Sequence, residues 1–436
     1  MEAKKKSIMD RVTDFTMKIA EPLGRFADIP CIAAIQNGLV SVMPLIIIGS
    51  IFLILGIMGT DAIGGKVLLP FLAPISGKLT AVNALTMNFL GFYAALMIAM
   101  NYAEKIGADA KTCGLLGTAA FFVFNLNGVT DDMIPVLSFS ATGLFVGILV
   151  SLFSVRIYKF LLDKNITIKM PASVPPNVGN AFTSMIPFAV VITIAWLIRT
   201  VLGFNMVEWF TTALQPFITA ADNIWMYTFN RGMTALLWGV GLHGDNMFNV
   251  TIFQPFTMMW ADQNAAAMAA GEPLTHIWTN YGIDRITSWT ALVWPLLLLM
   301  IRSKVKYLRT FGWACLPAAI FTIVEPVIFG LPLALNPFLI IPFLLIAILT
   351  AIVSYGFFAL GFCNYFFAQL PWATPPFVLG PLGTGDLRSL IIIAIVFIIG
   401  LVIYYPFWKQ FENNELRKEK EQEAALAEKE QHEETA

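Results

Sequence analysis

The sequence is poor in charge. Only 13% of its 436 residues are charged, whereas 58% are hydrophobic, and the mean hydropathy is +0.74. A soluble domain carries about 25% charged residues, so an ordinary soluble protein is excluded. The apolar residues form long continuous runs rather than short alternating segments, which excludes a transmembrane β-barrel. The composition therefore predicts an all-α integral membrane protein.

Histidine, cysteine and nucleotide-binding motifs are also scarce. The chain has three histidines and four cysteines, and each cysteine stands alone within an apolar segment. This pattern predicts small buried side chains rather than disulfides or ligands, so we expect no metal and no other cofactor. The absence of a GxxxxGK[ST] pattern excludes a built-in ATPase of the P-loop type. A net charge of −1 gives no reason to expect a nucleic-acid partner.

Long apolar runs predict about ten transmembrane helices. The candidate spans are 33–57, 83–103, 114–128, 138–161, 181–203, 224–241, 286–301, 311–331, 333–354 and 388–408. Residues 244–284 and 356–385 are apolar but interrupted, and we expect them to form two re-entrant hairpins covered by protein. Residues 1–28 and 205–222 have an amphipathic pattern that predicts helices lying at the membrane interface.

The pattern also divides the chain into an N-terminal half, 1–222, a C-terminal half, 223–411, and a charged tail, 412–436. Lysines at positions 4, 5 and 6 place the N-terminus in the cytoplasm by the positive-inside rule. The tail is expected on the same side if the number of spans is even. The charges between residues 243 and 309 leave that part of the topology open.

Two polar interruptions stand out in the apolar sequence. The first, Trp238–Asn249, reads WGVGLHGDNMFN and contains His243 and Asp245; the second, Thr322–Pro332, reads TIVEPVIFGLP and contains Glu325. Such breaks are tolerated in a membrane only where protein covers them or a water-filled cavity adjoins them. We therefore expect both interruptions to share one polar cavity, although the first could also be a short loop at the bilayer surface.

Four motifs give the chain a resemblance to a known family. PLIIIGS, WGVGLHGDN, VEPVIFGLP and PWATPP occur in this order. The sequence resembles the membrane-spanning IIC component of bacterial sugar phosphotransferase systems, in the lactose/cellobiose/diacetylchitobiose group. Many members have Asn before the Glu-Pro pair, where this chain has Val324. The identity of the sugar therefore stays open.

The resemblance implies a homodimer in the bacterial cell (inner) membrane, with cytoplasmic termini, an N-terminal dimerisation half and a C-terminal sugar-transport half. It implies uptake of a β-linked disaccharide of the cellobiose or diacetylchitobiose type. The sugar would be phosphorylated on its 6-hydroxyl by a phosphocysteine of a separate IIB protein, because no hydrophilic domain of that kind is present in this sequence.

Sugar binding in a site of low dielectric constant requires polar side chains that replace water and an aromatic wall for the sugar ring. Glu325 is the candidate to accept a hydrogen bond from the 6-hydroxyl, as general base or orienting group, and His243 could bond the sugar or stabilise charge. The candidate sugar contacts are Trp238 and Trp372, which could instead lie at the membrane interface, and Asp245 and Asn246, which could instead cap a turn; the resemblance adds Asn101 and Asn127 from the N-terminal half. Four further charged residues are expected to form structural pairs or to face IIB: Asp284, Arg285, Asp386 and Arg388.

Two other functions remain possible from the residues alone. In a proton-coupled sugar symporter, Glu325 and His243 would be a proton relay, although few charged residues lie within the spans. A membrane enzyme acting on a lipid or glycan is the third class, but the sequence shows no nucleophile–base pair for it.

Overall fold

The structure is a computed structural model. It describes residues 25, 28–61, 67–87, 89–125, 136–140, 143–171, 175–239, 241–331, 333 and 336–434. All regular elements within these residues are helical, which confirms the predicted all-α class.

The helices of the N-terminal half are α1 (Pro30–Ser41), α2 (Met43–Met58), α3 (Ser76–Met87), α4 (Leu90–Lys105), α5 (Ala110–Asn125), α6 (Leu144–Asp163), α7 (Pro176–Trp196) and α8 (Met206–Ala221). Those of the C-terminal half are α9 (Ile224–Gly239), α10 (Gln254–Ala270), α11 (Ile283–Leu292), α12 (Trp294–Ile301), α13 (Lys306–Ile320), α14 (Glu325–Gly330), α15 (Pro337–Ala359), α16 (Pro376–Thr384) and α17 (Ser389–Glu434). A π-helix, Asp245–Phe253, directly precedes α10.

Seven helical segments of the described chain are long and apolar enough to cross a membrane. They are Pro30–Met58, Pro70–Lys105, Leu144–Asp163, Val178–Val201, Ile283–Ile301, Phe338–Ala359 and Ser389–Gln422. Seven of the ten predicted spans therefore correspond to such segments. The predicted spans 114–128 and 224–241 coincide with α5 and α9, which have 16 residues each.

The predicted span 311–331 is wrong as a continuous helix. Helix α13 ends at Ile320, and α14 begins only at Glu325. Between them Thr322 has a φ of 59°, a left-handed conformation that a β-branched residue rarely adopts. The Thr322 hydroxyl donates a hydrogen bond to the Trp372 carbonyl at 3.0 Å, which holds this break against a distant segment. Pro326 then occupies the first turn of α14, where its missing N–H costs no hydrogen bond.

The two segments predicted as hairpins are irregular where the sequence is interrupted. An irregular stretch from Gly271 to Gly282 follows α10, and another from Leu360 to Pro375 follows α15. The fully buried Asn264 connects these two stretches: its amide donates to the carbonyls of His276 at 2.7 Å and Phe366 at 2.8 Å. Such bonds satisfy backbone groups that have no helical partner, which non-helical chain inside an apolar protein requires.

The hydrophobic cores do not follow the division at residue 222. One core is built within the N-terminal half, mainly from α4, α5 and α6. The larger core joins the helices of the C-terminal half to α1 and α2, with Leu39 and Ile46 fully buried in it. The first two helices therefore pack with the elements that carry the two polar interruptions.

The charged end of the chain continues the last helix. Helix α17 runs without a break from the apolar segment to Glu434, so the charged residues 412–434 continue this helix. Its carboxylates bind the start of α13: Glu412 accepts from the Lys304 N–H at 2.8 Å, and Glu419 accepts from the Lys306 N–H at 3.1 Å. These bonds satisfy N–H groups that a helix cannot satisfy itself.

We expect Gly400→Ala to destabilise the protein, because α17 and α11 approach each other closely at this residue. A Cβ at Gly400 would overlap the Ala291 carbonyl oxygen and lie 2.8 Å from Pro295 Cγ. Overpacking of this kind costs about 1–3 kcal/mol, which should lower the thermal unfolding temperature measured in detergent. The matched control is Gly356→Ala in α15, where nothing lies within 4 Å of the added Cβ. Equal unfolding temperatures for the two variants would contradict the close approach.

Candidate functional site

The first polar interruption turns the chain back onto the helix that precedes it. Helix α9 ends at Gly239, and Gly241 has a φ of 86°, which glycine adopts without strain. A Cβ at Gly244 would overlap the carbonyl oxygen of Thr234 in α9. Glycine at position 244 therefore lets the π-helix pack directly on α9, with His243 and Asp245 beside Trp238.

His243 and Glu325 lie side by side, although they come from different interruptions. The His243 Nδ1 accepts a hydrogen bond from the Asn246 backbone N–H at 3.2 Å. The neutral imidazole must then carry its hydrogen on Nε2. This nitrogen lies 3.5 Å from Glu325 Oε1. Both side chains are about one-third exposed, at 36% and 38%.

A cavity of about 650 Å³ lies beside this pair. Its volume falls within the range of about 300–1,000 Å³ that is typical of small-molecule sites. Six of the eight predicted site residues line it: Trp238, His243, Asp245, Asn246, Glu325 and Trp372. The structure therefore brings both interruptions and the PWATPP motif to one cavity.

Several polar atoms of the cavity wall have no hydrogen-bond partner among the described residues. They are both amide atoms of Gln254, Nε of Arg285, Nε1 of Trp289 and Oε2 of Glu325. A buried polar group without a partner costs about 1–3 kcal/mol, so such groups are usually satisfied. Three donors and two acceptors grouped in this way make the wall of the cavity strongly polar.

The two asparagines expected from the N-terminal half do not join this group. Asn101 lies in α4, does not line the cavity, and donates its amide hydrogen to the Met97 carbonyl at 2.8 Å. Its side chain therefore bonds its own helix. Asn127 lies outside the described residues.

The two tryptophans differ in what they can offer a sugar. Trp372 is 40% exposed at the cavity wall and can present a ring face. Trp238 is only 1% exposed, its Nε1 donates to Asp245 Oδ2 at 3.1 Å, and its ring centroid is 4.3 Å from that of His243. The prediction that Trp238 stacks on the sugar is therefore inconsistent with its burial. Trp238 supports the imidazole instead.

Asp245 belongs to a buried network of charges behind the cavity wall. Its Oδ1 is 3.5 Å from Arg231 Nη2, and its Oδ2 accepts from Trp238. Asp284 Oδ2 lies 3.9 Å from both Arg231 Nη1 and Arg285 Nε. Because both Asp245 oxygens have protein partners and the residue is 5% exposed, the predicted sugar contact does not fit. Asp245 positions Trp238 instead, whereas Asn246 is exposed.

Arg285 is the main site residue that the sequence did not reveal. It was expected to form a structural pair or to face another protein. It does pair with Asp284, at 3.9 Å, but it also lines the cavity, with its guanidinium 4.9 Å from the centre of the Tyr281 ring. Gln36 and Asn37 of α1 also line the cavity. The sequence did contain an indication of these two residues, because they are adjacent amides within an apolar span. The other expected pair is formed as predicted: Arg388 Nη2 is 2.7 Å from Asp386 Oδ2.

Polar side chains that converge between interrupted membrane helices define the chain as a membrane transport protein. A family model described as "Phosphotransferase system, EIIC" matches residues 36–347. The chain therefore belongs to the EIIC family of the phosphotransferase system, which confirms the resemblance in the sequence. EIIC proteins are the membrane components of sugar transport in these systems.

Similar proteins cover the chain almost completely. The "Putative permease IIC component YwbA" of Bacillus subtilis (strain 168) is 31% identical over 92% of this chain and 95% of its own length. The "PTS system cellobiose-specific EIIC component" of Geobacillus stearothermophilus is 30% identical over 94% and 96%. The crystal structure of the transporter ChbC, the IIC component of the N,N'-diacetylchitobiose-specific phosphotransferase system, has a TM-score of 0.85 at 29% identity, covering 93% of this chain and 99% of its own.

We expect Asp245→Ala to unfold at a clearly lower temperature than the wild type. Two arginines and two aspartates form the buried network, in which Arg231 is only 2% exposed. Removal of one carboxylate leaves the buried positive charge of Arg231 only partly neutralised. Breaking a buried pair in this way costs about 3–5 kcal/mol. The control is Asn246→Ala at the adjacent exposed residue, which should change stability by no more than about 0.5 kcal/mol. If thermal unfolding in detergent is the same for both variants, the network does not stabilise the site.

Proposed function

We propose that this protein takes up a β-linked disaccharide and holds its 6-hydroxyl for phosphorylation by a separate IIB protein. The observation that carries the proposal is the contact of His243 Nε2 with Glu325 Oε1, 3.5 Å apart, at the wall of a polar cavity of about 650 Å³. An acid oriented by an imidazole beside unpartnered donors suits a ligand that is rich in hydroxyls.

The similar proteins favour a β-linked sugar. Relatives at 27–30% identity are described as a lichenan permease, a cellobiose-specific component and an oligo-beta-mannoside-specific component. The structural relative is diacetylchitobiose-specific. Cellobiose and diacetylchitobiose are both β-1,4-linked disaccharides with a free 6-hydroxyl, and this supports that substrate class over a monosaccharide.

The cavity wall offers each part of such a sugar a partner. The exposed ring of Trp372 can cover the apolar face of one sugar ring. The amides of Gln36, Asn37 and Gln254 can exchange hydrogen bonds with its hydroxyls. The Glu325 carboxylate, whose side chain is 38% exposed, can accept the hydrogen of the 6-hydroxyl.

Phosphoryl transfer at this site needs orientation and charge stabilisation more than covalent chemistry. The C6 oxygen of the sugar would form a bond to phosphorus as the bond from phosphorus to the IIB cysteine sulfur breaks. The sulfur would leave as a thiolate, and the hydroxyl proton would pass to Glu325. His243 would hold the carboxylate in place through its Nε2–H, and the Arg285 guanidinium at the cavity wall would offset the charge of the transferred group.

The phosphoryl donor is proposed as a separate protein. This chain spans 70% of the lactose-specific EIICB component of Streptococcus mutans, at 29% identity over 89% of the present chain. The name of that relative includes a B component. A B component as a separate polypeptide would supply to this chain what the longer relative carries within one chain.

Two further features of the proposal concern assembly. We propose a homodimer held by the N-terminal half, with both termini on the cytoplasmic side. Large apolar side chains of α6 are exposed, including Phe153 at 66% and Phe160 at 53%, and they are available for contact with lipid or with a second copy. Cytoplasmic termini would place the charged end of α17 on the side where a soluble IIB protein must act.

We expect Glu325→Gln to lower sugar phosphorylation by about 100-fold or more while changing disaccharide affinity much less. A positioned general base typically contributes about 100- to 10,000-fold, whereas the amide keeps the size of the side chain and one acceptor oxygen. Phosphorylation would be measured with phosphorylated IIB and cellobiose, and affinity by calorimetry on purified protein. The control is Glu272→Gln, an exposed carboxylate outside the cavity lining. Phosphorylation by Glu325→Gln within about tenfold of the control would contradict the assigned role.

The proton-coupled symporter is tested by the energy source of uptake. In membrane vesicles that contain phosphorylated IIB, the proposed mechanism predicts that labelled sugar accumulates as sugar phosphate. A proton uncoupler should not reduce the initial rate, because no proton gradient enters the reaction. Vesicles without IIB are the control and should accumulate no sugar. Accumulation of unmodified sugar that the uncoupler abolishes would establish the symporter and overturn group translocation.

A further inference from the structure

A second cavity, of about 520 Å³, lies between the ends of two membrane-spanning helices and outside the sugar site. The wall from α12 and its C-cap consists of Leu298, Leu299 and Arg302, and the wall from α17 consists of Leu401, Val402, Tyr405, Trp408, Lys409 and Glu412. None of these residues belongs to the lining of the sugar cavity. Their spacing along each helix places them on one face.

The cavity has an apolar part and a cationic part. Val402 is 66% exposed and Tyr405 is 52% exposed, next to leucines that are half-buried. At the other end, Arg302 caps the C-terminus of α12 and Lys409 lies one helical turn beyond Tyr405, with its ammonium 5.7 Å from the centre of the Tyr405 ring. Neither cation forms an ion pair with another residue that the structure describes.

The carboxylate in the lining does not cancel these charges. Glu412 is 6% exposed, and its Oε1 accepts hydrogen bonds from the Ser303 hydroxyl and the Lys304 N–H, both at 2.8 Å. Arg302, Lys409 and this one carboxylate leave the lining with a net charge of +1. Lys304 and Arg309 are also exposed, but they do not line the cavity.

The position of the cavity identifies the kind of molecule that it fits. Helix α17 changes here from an apolar segment to a charged one, and α12 ends here, so the cavity lies where hydrocarbon meets headgroups. Tyrosine and tryptophan are enriched at this depth, and basic side chains there attract anionic lipid. A soluble partner would meet the cations but would not reach the exposed Val402.

We propose that this cavity binds the headgroup of an anionic phospholipid, with the phosphate between Arg302 and Lys409 and an acyl chain along Leu401 and Val402. Charge complementarity and the continuous apolar wall together favour phosphatidylglycerol over a zwitterionic lipid. A lipid between α12 and α17 would hold the end of α12 in place. The residues that follow this end donate hydrogen bonds to carboxylates of α17. The proposal does not depend on the identity of the transported sugar.

The test is native mass spectrometry of the purified full-length protein with added phosphatidylglycerol or phosphatidylcholine. Wild type should retain phosphatidylglycerol in preference to phosphatidylcholine, and Arg302→Gln/Lys409→Gln should lose about 25-fold in affinity, at about fivefold for each cation near the membrane surface. The matched control is Lys304→Gln/Arg309→Gln, which removes two exposed cations outside the cavity and should bind as wild type. Val402→Trp fills the apolar part without changing charge and should also lower retention.

Four outcomes would overturn the proposal. Equal losses in both double variants would show only a general effect of surface charge, and equal retention of both lipids would remove the headgroup preference. Displacement of the lipid by inorganic phosphate alone would assign the site to a free anion. A change of oligomeric state in the cavity variants, with unaltered lipid retention, would assign the surface to a protein contact. Circular dichroism of each variant confirms that the helices are intact.

Discussion

The contact between His243 and Glu325 depends on two places where the backbone leaves helical geometry inside an apolar protein. At one, Gly241 and Gly244 turn the π-helix back onto α9; at the other, Thr322 takes a left-handed conformation and α14 starts at Glu325. Both departures cost energy in a membrane unless the freed groups find partners. The bond from the Thr322 hydroxyl to the Trp372 carbonyl supplies one and also fixes the aromatic wall of the cavity.

Behind this contact, buried charges position the side chains that meet the ligand. Arg231 holds Asp245, Asp245 accepts from the Trp238 indole, and the Trp238 ring packs against His243. Each member of this series is less exposed than the imidazole that it supports. A group that must point a hydrogen at one carboxylate oxygen needs such support, because errors of about an ångström in position weaken catalysis strongly. The network therefore explains why acidic and basic side chains lie buried behind the contact between His243 and Glu325.

The sequence predicted the class of fold and the convergence of the two interruptions, because charge in an apolar chain is informative by itself. It did not predict the roles of individual aromatic and charged residues. Trp238 and Trp372 both adjoin interruptions, yet only burial distinguishes the support from the exposed wall. Arg285 pairs with the adjacent Asp284 as predicted, but it also lines the cavity, which the local sequence does not indicate. The break in 311–331 depends on one bond to a residue far along the chain, which no local pattern contains.

The two walls of the cavity come from different parts of the chain and differ in chemistry. Residues of α1 and α2 contribute two amides, Gln36 and Asn37, and otherwise apolar side chains; the C-terminal half contributes every charged group of the lining. Among the described residues, side-chain hydrogen bonds join α1 and α2 to the C-terminal half: the Gln36 amide donates to the Thr251 hydroxyl, and Ser50 Oγ accepts from the Gln369 N–H at 3.0 Å. If the walls separate during transport, a sugar that is bound mainly by charged and aromatic groups would stay with the C-terminal wall. Few polar groups of α1 and α2 would hold the sugar on the other wall. The same wall carries Glu325, so under the proposed function the 6-hydroxyl would stay beside its acceptor during such a movement.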